Sequence, residues 1–194
     1  TRDENGNFIY DFTLNDRRID YMLSKGFNLL LSYNFIPPCI ARNPELTNNV
    51  TKNATRYKGK MIVTSPPRDY ADWEEICYRY TEHIVARYGE NGVKNWYLQC
   101  FNEPDIPQFF MKDLKPSEEN LRIRAEEYCK LYAAFERGIR RVSENLFIGG
   151  LYVGVCAAYC THLAVKEIAH CFLFSCCLGV EIHDAELGVA RLFQ

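Results

Sequence analysis

Residues 96–105, WYLQCFNEPD, contain a short apolar run that ends abruptly in Asn102, Glu103 and Pro104. An apolar run of this length, bounded by polar turn residues, is typical of a buried strand. The pattern therefore predicts a strand over residues 96–101, with Asn102 and Glu103 where the strand gives way to a loop. In barrel enzymes, the loops that follow the strands carry the chemistry.

Helices are predicted where apolar residues recur at helical spacing after a capping residue. Thr13 is a candidate N-cap of the first helix, which Gly26 ends. Asp69 caps the second helix, which Gly89 ends, and Ser117 begins the third. The predicted helices span about residues 14–25, 70–88, 118–142 and 163–176.

Short apolar segments between these helices are predicted as strands. The run Leu29-Leu30-Leu31 lacks polar alternation, as expected of a parallel strand that is covered on both faces. Alternating strands and helices indicate a parallel sheet with helical crossovers, either an open doubly wound sheet or a closed barrel. The predicted strands span about residues 27–33, 96–101, 146–148 and 178–183.

Composition limits the classes of function. A chain of 194 residues that is 47% hydrophobic can bury a core, and its length favours one domain. A net charge of −2 without a long basic run argues against nucleic acid as a partner. Charged residues interrupt the apolar region 151–180, which therefore predicts packed core rather than a membrane span.

The nine cysteines divide into four scattered residues and five that crowd residues 156–177. Scattered cysteines on apolar faces behave as small buried hydrophobic residues. The crowded set contains no CxxC pair and lacks the spacing of a common zinc site, so no metal site is predicted. A disulfide in this tail fits the clustering better than zinc does.

Further motifs surround Glu103 in a definite order. PPRDY at residues 66–70 precedes the second predicted helix, ARYG at residues 86–89 ends it, and Trp96 begins the strand that leads to NEPD. This order resembles glycoside hydrolase family 39, the family of β-xylosidases and α-L-iduronidases. The resemblance covers about residues 8–150 and is weak after that.

The resemblance implies an α/β fold, a (β/α)8 TIM barrel. Such a barrel takes roughly 250 residues. In family order, this chain matches the second helix through the sixth strand and lacks the first and last strands. It is therefore predicted to be a single, partial catalytic domain over residues 1–194, with a diverged tail over residues 151–194.

The resemblance also implies roles for four residues in a retaining glycoside hydrolase that needs no cofactor. Glu103 would be the general acid/base for O-glycosidic bonds, and Asn102 would bind the sugar 2-hydroxyl. Phe35 would help to form the floor of the sugar site. His183, at the end of the last predicted strand, would bind the substrate or position the nucleophile.

Each of these residues also has an ordinary structural interpretation. Glu103 could be a turn or N-cap carboxylate, and Asn102 could form an Asx-turn. Phe35 could be simple packing, and a single histidine near a chain end, such as His183, is often a surface or satisfied core residue.

The sequence departs from the family at two positions near Glu103. Phe101 stands where the family usually has Trp, and Gln99 stands where it usually has an acidic residue. The nucleophile in the family is a Glu after the seventh strand, and only Glu181 and Glu186 are late candidates here. The alternative function is a truncated or diverged barrel fragment that does no chemistry itself and binds sugar or a partner. The sequence does not specify the oligomeric state.

Two N-glycosylation sequons, at Asn49 and Asn53, lie in a polar stretch over residues 37–65 that is predicted to be a long loop. The first residues are charged and predict no signal peptide. Localisation therefore stays open: secreted or lysosomal if the sequons are used, and cytoplasmic otherwise.

Overall fold

A computed structural model of the protein describes residues 1–48 and 61–149. His183, the sequons and the predicted elements over residues 163–183 lie outside the described residues. The helices are α1 (Thr13–Ser24), α2 (Tyr70–Tyr88), α3 (Glu90–Val93) and α4 (Glu118–Arg140). The strands are β1 (Leu30–Tyr33), β2 (Thr47–Asn48), β3 (Ile62–Val63), β4 (Tyr97–Cys100) and β5 (Ile148–Gly149).

Strands β1, β4 and β5 form a parallel sheet with β4 in the middle. Leu98 of β4 lies opposite Leu31 of β1 on one side and Ile148 of β5 on the other. The predicted α/β fold with parallel strands is confirmed. A separate antiparallel pair, β2 with β3, lies within the stretch that was predicted to be a loop.

Local capping fixes where α2 and α4 begin. The Asp69 side chain accepts a hydrogen bond from the backbone N–H of Ala71 at 2.8 Å, and the Ser117 hydroxyl accepts one from Asn120 at 3.1 Å. Side-chain oxygens at these positions satisfy amides that have no partner within the helix. Both predicted helix starts are therefore confirmed.

The start of α1 differs from the prediction. Thr13 is the first residue of the helix rather than its N-cap, and no side chain caps this end. Instead, the Asp11 carboxylate accepts a hydrogen bond from the backbone N–H of Thr13 at 3.0 Å. The end of the helix is as predicted, because Gly26 has a φ of 76°, which glycine adopts without steric cost.

The core lies between the sheet and helices α2 and α4. The Tyr33 hydroxyl shares a buried hydrogen bond of 2.9 Å with Thr81 of α2, and the Tyr33 ring meets Phe135 of α4 edge-on at 5.0 Å. The two helices cross closely at Gly138, where an added Cβ would lie 2.6 Å from the carbonyl oxygen of Glu74. This crossing holds the helical layer against the strands.

Within the described residues, the opposite face of the sheet is exposed near the amino-terminal ends of its strands. Leu30 of β1, Tyr97 of β4 and Phe147, the residue before β5, are 62%, 48% and 50% exposed. The prediction that β1 is covered on both faces is wrong for Leu30. The physical reason is that α2 and α4 pack on the face that carries Tyr33.

Two of the four scattered cysteines are buried as predicted, whereas Cys39 and Cys129 are half-buried. Cys77 and Cys100 are free and fully buried, and burial raises the pKa of both thiols well above the usual range. Among residues 1–48 and 61–149, no group of three or more His, Cys, Asp or Glu side chains is placed to hold a metal ion. No helix in these same segments is long and apolar enough to cross a membrane.

Candidate active site

The candidate site is built on the turn that follows β4, the middle strand. Phe101 has a φ of 59° and Glu103 has a φ of 52°, so two of three consecutive non-glycine residues adopt the left-handed conformation. This conformation is uncommon for residues with large side chains and costs roughly 1–2 kcal/mol each. Backbone of this kind occurs mainly where surrounding contacts hold it, often at functional sites.

Three side chains hold consecutive backbone groups of this turn. The Tyr128 hydroxyl of α4 donates to the carbonyl of Cys100 at 2.9 Å, and Gln99 Nε2 donates to the carbonyl of Phe101 at 3.0 Å. The backbone N–H of Asn102 donates to Asn34 Oδ1 at 3.1 Å. The turn is therefore tied to α4, to its own strand and to the loop after β1.

Asn102 and Glu103 carry the polar groups of the turn. Asn102 Nδ2 donates to Glu103 Oε2 at 3.3 Å, and both side chains are half-buried. The amide therefore limits the orientations of the carboxyl group and leaves it accessible. A carboxylic acid that is held in place and still reaches solvent can transfer a proton to or from a bound molecule.

Aromatic rings line the turn on the side of β1. Phe35 meets the fully buried Phe101 edge-on, with ring centroids 5.5 Å apart, and stacks on Phe109 at 6.1 Å with planes 14° apart. The peptide bond between Asn34 and Phe35 is cis. The structure thus brings Phe35 together with the turn that carries Glu103.

The loop over residues 104–117, which follows the turn, is fastened to α4 by a buried arginine. Arg124 is 4% exposed and donates to the carbonyls of Phe110, Met111 and Leu114 at 3.1, 3.4 and 3.2 Å. One guanidinium offers five N–H donors, so it can bind several carbonyls of one loop. This arrangement keeps Phe109 and Phe110 beside the turn.

A second buried charge on α4, Glu127, joins other parts of the fold. Its carboxylate accepts hydrogen bonds from Arg42 at 2.8 Å, Tyr70 at 2.8 Å and Lys130 at 2.7 Å. Burial alone raises the pKa of Glu127, but the hydrogen bonds from these three donors outweigh it, and the pKa is lowered. Glu127 is thus a carboxylate that stabilises the packing of α4.

Sequence reasoning missed Gln99, Asn34, Tyr128 and Arg124 as residues that shape the site. A signal existed for two of them. Gln99 is a polar residue inside an apolar strand, and Arg124 lies four residues before Tyr128, on the apolar face of the predicted helix. The candidate residues His183, Glu181 and Glu186 lie outside the described residues.

The fold and the turn define a class of protein. It is an α/β protein in which a carboxylic acid, an amide and aromatic rings lie at the carboxyl end of a parallel strand. The sequence model of glycosyl hydrolases family 39 matches residues 1–171. The chain therefore belongs to glycoside hydrolase family 39, as the resemblance implies.

Similar proteins of known name are β-xylosidases and α-L-iduronidases. A β-xylosidase from Caldicellulosiruptor saccharolyticus is 29% identical over 149 residues, which are 77% of this chain and 26% of that protein. A β-xylosidase from Geobacillus stearothermophilus is 29% identical over 73% of this chain and 24% of that protein. The human α-L-iduronidase is 24% identical over 55% of this chain and 14% of that protein. The chain spans about a quarter of the length of the two β-xylosidases.

Two solved structures show the same fold. The family 39 enzyme of Xanthomonas axonopodis pv. citri matches with a TM-score of 0.67 and 28% identity, over 87% of this chain and 29% of that one. A monomeric β-xylosidase from Caulobacter crescentus CB15 matches with a TM-score of 0.66 and 23% identity, over 87% of this chain and 30% of that one.

Proposed function

We propose that this chain carries the acid/base half of the active site of a retaining glycoside hydrolase, in which Glu103 is the general acid/base. The observation that carries the proposal is the Glu103 carboxyl group, half-exposed on a fixed turn and bonded to Asn102 at 3.3 Å. Membership of family 39 supports it. A partial (β/α)8 barrel, open on the face of Leu30 and Tyr97, is the fold that we propose for this half.

The chemistry follows in two steps. In the first, protonated Glu103 donates its proton to the glycosidic oxygen while the bond from this oxygen to the anomeric carbon breaks, and a second carboxylate bonds to that carbon. In the second, ionised Glu103 takes a proton from a water molecule whose oxygen attacks the anomeric carbon and displaces that carboxylate. Asn102 would donate a hydrogen bond to the sugar 2-hydroxyl, and Phe35 would form part of the floor of the sugar site.

β-Xylosides are the substrate class that the relatives favour. The β-xylosidases match 77% and 73% of this chain, whereas the human α-L-iduronidase matches 55%. Substrate contacts beyond Asn102 and Phe35 are proposed to include His183, at the end of the predicted sixth strand.

The test compares the hydrolysis of two aryl β-xylosides that differ in their leaving groups. The enzyme is the gene product that carries this sequence. Glu103→Ala should lower hydrolysis of phenyl β-xyloside, which needs an acid, by roughly 10²- to 10⁴-fold. With 2,4-dinitrophenyl β-xyloside, whose dinitrophenolate leaving group departs without a proton, cleavage of the glycosidic bond should persist. Added azide should then restore turnover by forming a β-xylosyl azide, since azide attacks without a general base. Equal losses on both substrates, without rescue, would refute the role of Glu103.

The alternative, a fragment without chemistry of its own, is tested on the chain itself. A retaining mechanism needs a second carboxylate roughly 5–5.5 Å from the first. We expect purified residues 1–194 to be inactive on aryl xylosides and iduronides, and a longer product of the gene to be active. Hydrolysis by residues 1–194 that both Glu103→Gln and Glu181→Gln abolish would overturn this expectation and make Glu181 the nucleophile.

A further inference from the structure

We infer that Gln99 is a positioning residue for Glu103: its side-chain amide holds the carbonyl of Phe101 and thereby fixes the turn from which the Glu103 carboxyl group extends. The inference rests on the proposed function for the role of Glu103. The positioning itself rests on the geometry of the strand and its turn.

Gln99 is a polar side chain at the centre of the sheet. It belongs to the middle strand, is 5% exposed and lies between Ser32 of β1 and Gly149 of β5. Burying an amide costs free energy unless it is hydrogen-bonded. Gln99 Nε2 makes such a bond to the carbonyl of Phe101, two residues further along the chain and directly after the strand, at 3.0 Å.

The acceptor of this bond belongs to the first residue after the strand. Phe101 has a φ of 59°, so its backbone leaves the extended conformation of β4 at this residue. A buried carbonyl at such a point needs a donor, and Gln99 supplies one. Because Glu103 follows two residues later and is itself left-handed, the direction of its side chain depends on this part of the backbone.

The chemistry of the bond requires an amide or another donor. An ionised carboxylate at this position could only accept hydrogen bonds and could not bind a carbonyl. The presence of Gln rather than a carboxylate at this position therefore has a structural consequence in this chain.

The first measurement is structural and does not depend on activity. Gln99→Met keeps the length of the side chain and removes the donor, and Gln99→Asn keeps the amide on a side chain that is one carbon shorter. Crystal structures of residues 1–194 should show Phe101 leaving the left-handed region and the Glu103 carboxyl group displaced in both variants. A turn that is unchanged in either variant would overturn the inference.

The second measurement is kinetic and uses the gene product that carries this sequence. Gln99→Met should lower kcat for phenyl β-xyloside by roughly 10- to 100-fold, the cost of misplacing a catalytic group by about 1 Å. The loss with 2,4-dinitrophenyl β-xyloside should be much smaller for bond cleavage, because that step needs no acid. Thr81→Val, which removes a buried hydrogen bond in the helical layer, is the matched stability control and should affect both substrates equally.

The outcomes separate the two proposals. Equal losses on both substrates in Gln99→Met would show a structural role alone and overturn the inference. If Glu103→Ala fails the test of acid/base function, the proposed function is wrong, and the crystal structures still decide whether Gln99 fixes the turn.

Discussion

The crossing of α2 with α4 contains a glycine on ordinary helical backbone, whereas the turn after β4 has no glycine although its backbone favours one. At the crossing, Gly138 stands on helical backbone that any residue could adopt, and the close approach of Glu74, Cys77 and Tyr78 requires the missing Cβ. In the turn, the backbone at Phe101 and Glu103 favours glycine, and both residues carry large side chains.

The difference separates stability from function. Glycine at the crossing permits close helix packing, so it contributes to stability. The turn carries large side chains at Phe101 and Glu103 although the backbone conformation there costs free energy. This pattern is expected where a side chain has a chemical role. Changes at the crossing should therefore affect unfolding, whereas Glu103 should be replaceable without loss of stability.

The largest expected effect is at the crossing. Gly138→Ala places a Cβ 2.6 Å from the carbonyl oxygen of Glu74, and backbone atoms cannot move aside as a side chain can. We expect a loss of about 3 kcal/mol in the free energy of unfolding, measured in urea. Gly92→Ala is the control, because a Cβ there meets nothing within 4 Å. A small loss at Gly138 would show that the helices are not packed as closely as described.

The next effect concerns the buried carboxylate of α4. Glu127→Gln weakens the hydrogen bonds from Arg42, Tyr70 and Lys130. Because the Arg42 and Lys130 side chains are largely exposed, we expect the free energy of unfolding at pH 7 to fall by only about 2 kcal/mol. Because the pKa of Glu127 is lowered on folding, its stabilisation is present above the unfolded pKa of about 4.3 and is lost as the pH falls through the folded value.

Urea titrations at pH 7 and at progressively lower pH test this dependence. The difference between wild type and Glu127→Gln should shrink as the solution becomes acidic. Glu4→Gln, at an exposed position, serves as the control and should differ little from wild type at any pH. A difference that stays constant with pH would contradict the role given to the carboxylate.

A smaller effect is expected where α4 meets the turn. Tyr128→Phe removes the hydroxyl that donates to the buried carbonyl of Cys100 and leaves the ring in place. We expect a loss of about 1 kcal/mol in the free energy of unfolding. Tyr21→Phe, at a residue 62% exposed, should have no measurable effect. Equal stability of the two variants would mean that α4 does not help to hold the turn.

The parts of the fold that the sequence predicts have local signals. The caps at Asp69 and Ser117 act within three residues of their helices, and the apolar run before Asn102 marks β4. Such signals can be read without knowledge of the rest of the chain. This also explains the prediction that Glu103 follows a strand.

The parts that the sequence does not predict depend on contacts between distant residues. Neither Phe nor Glu signals a left-handed backbone, because that conformation is held here by Tyr128, Asn34 and Gln99. The prediction that β1 is covered on both faces was wrong for a similar reason. The apolar character of Leu30 does not specify which segment packs on it.

The smallest effect is the sharpest test of the comparison, and it concerns Glu103 itself. Glu103 has a φ of 52°. The substitution Glu103→Gly relieves a left-handed conformation that costs roughly 1–2 kcal/mol. The same substitution adds roughly 0.5–1 kcal/mol of chain entropy to the unfolded state. Glu103→Gly should therefore be more stable than Glu103→Ala by about 0.5 kcal/mol in urea unfolding. At Glu126, exposed within α4, the same pair should reverse, with Gly about 1 kcal/mol less stable than Ala. The same order at both positions would show that the backbone of the turn is not held against its preference.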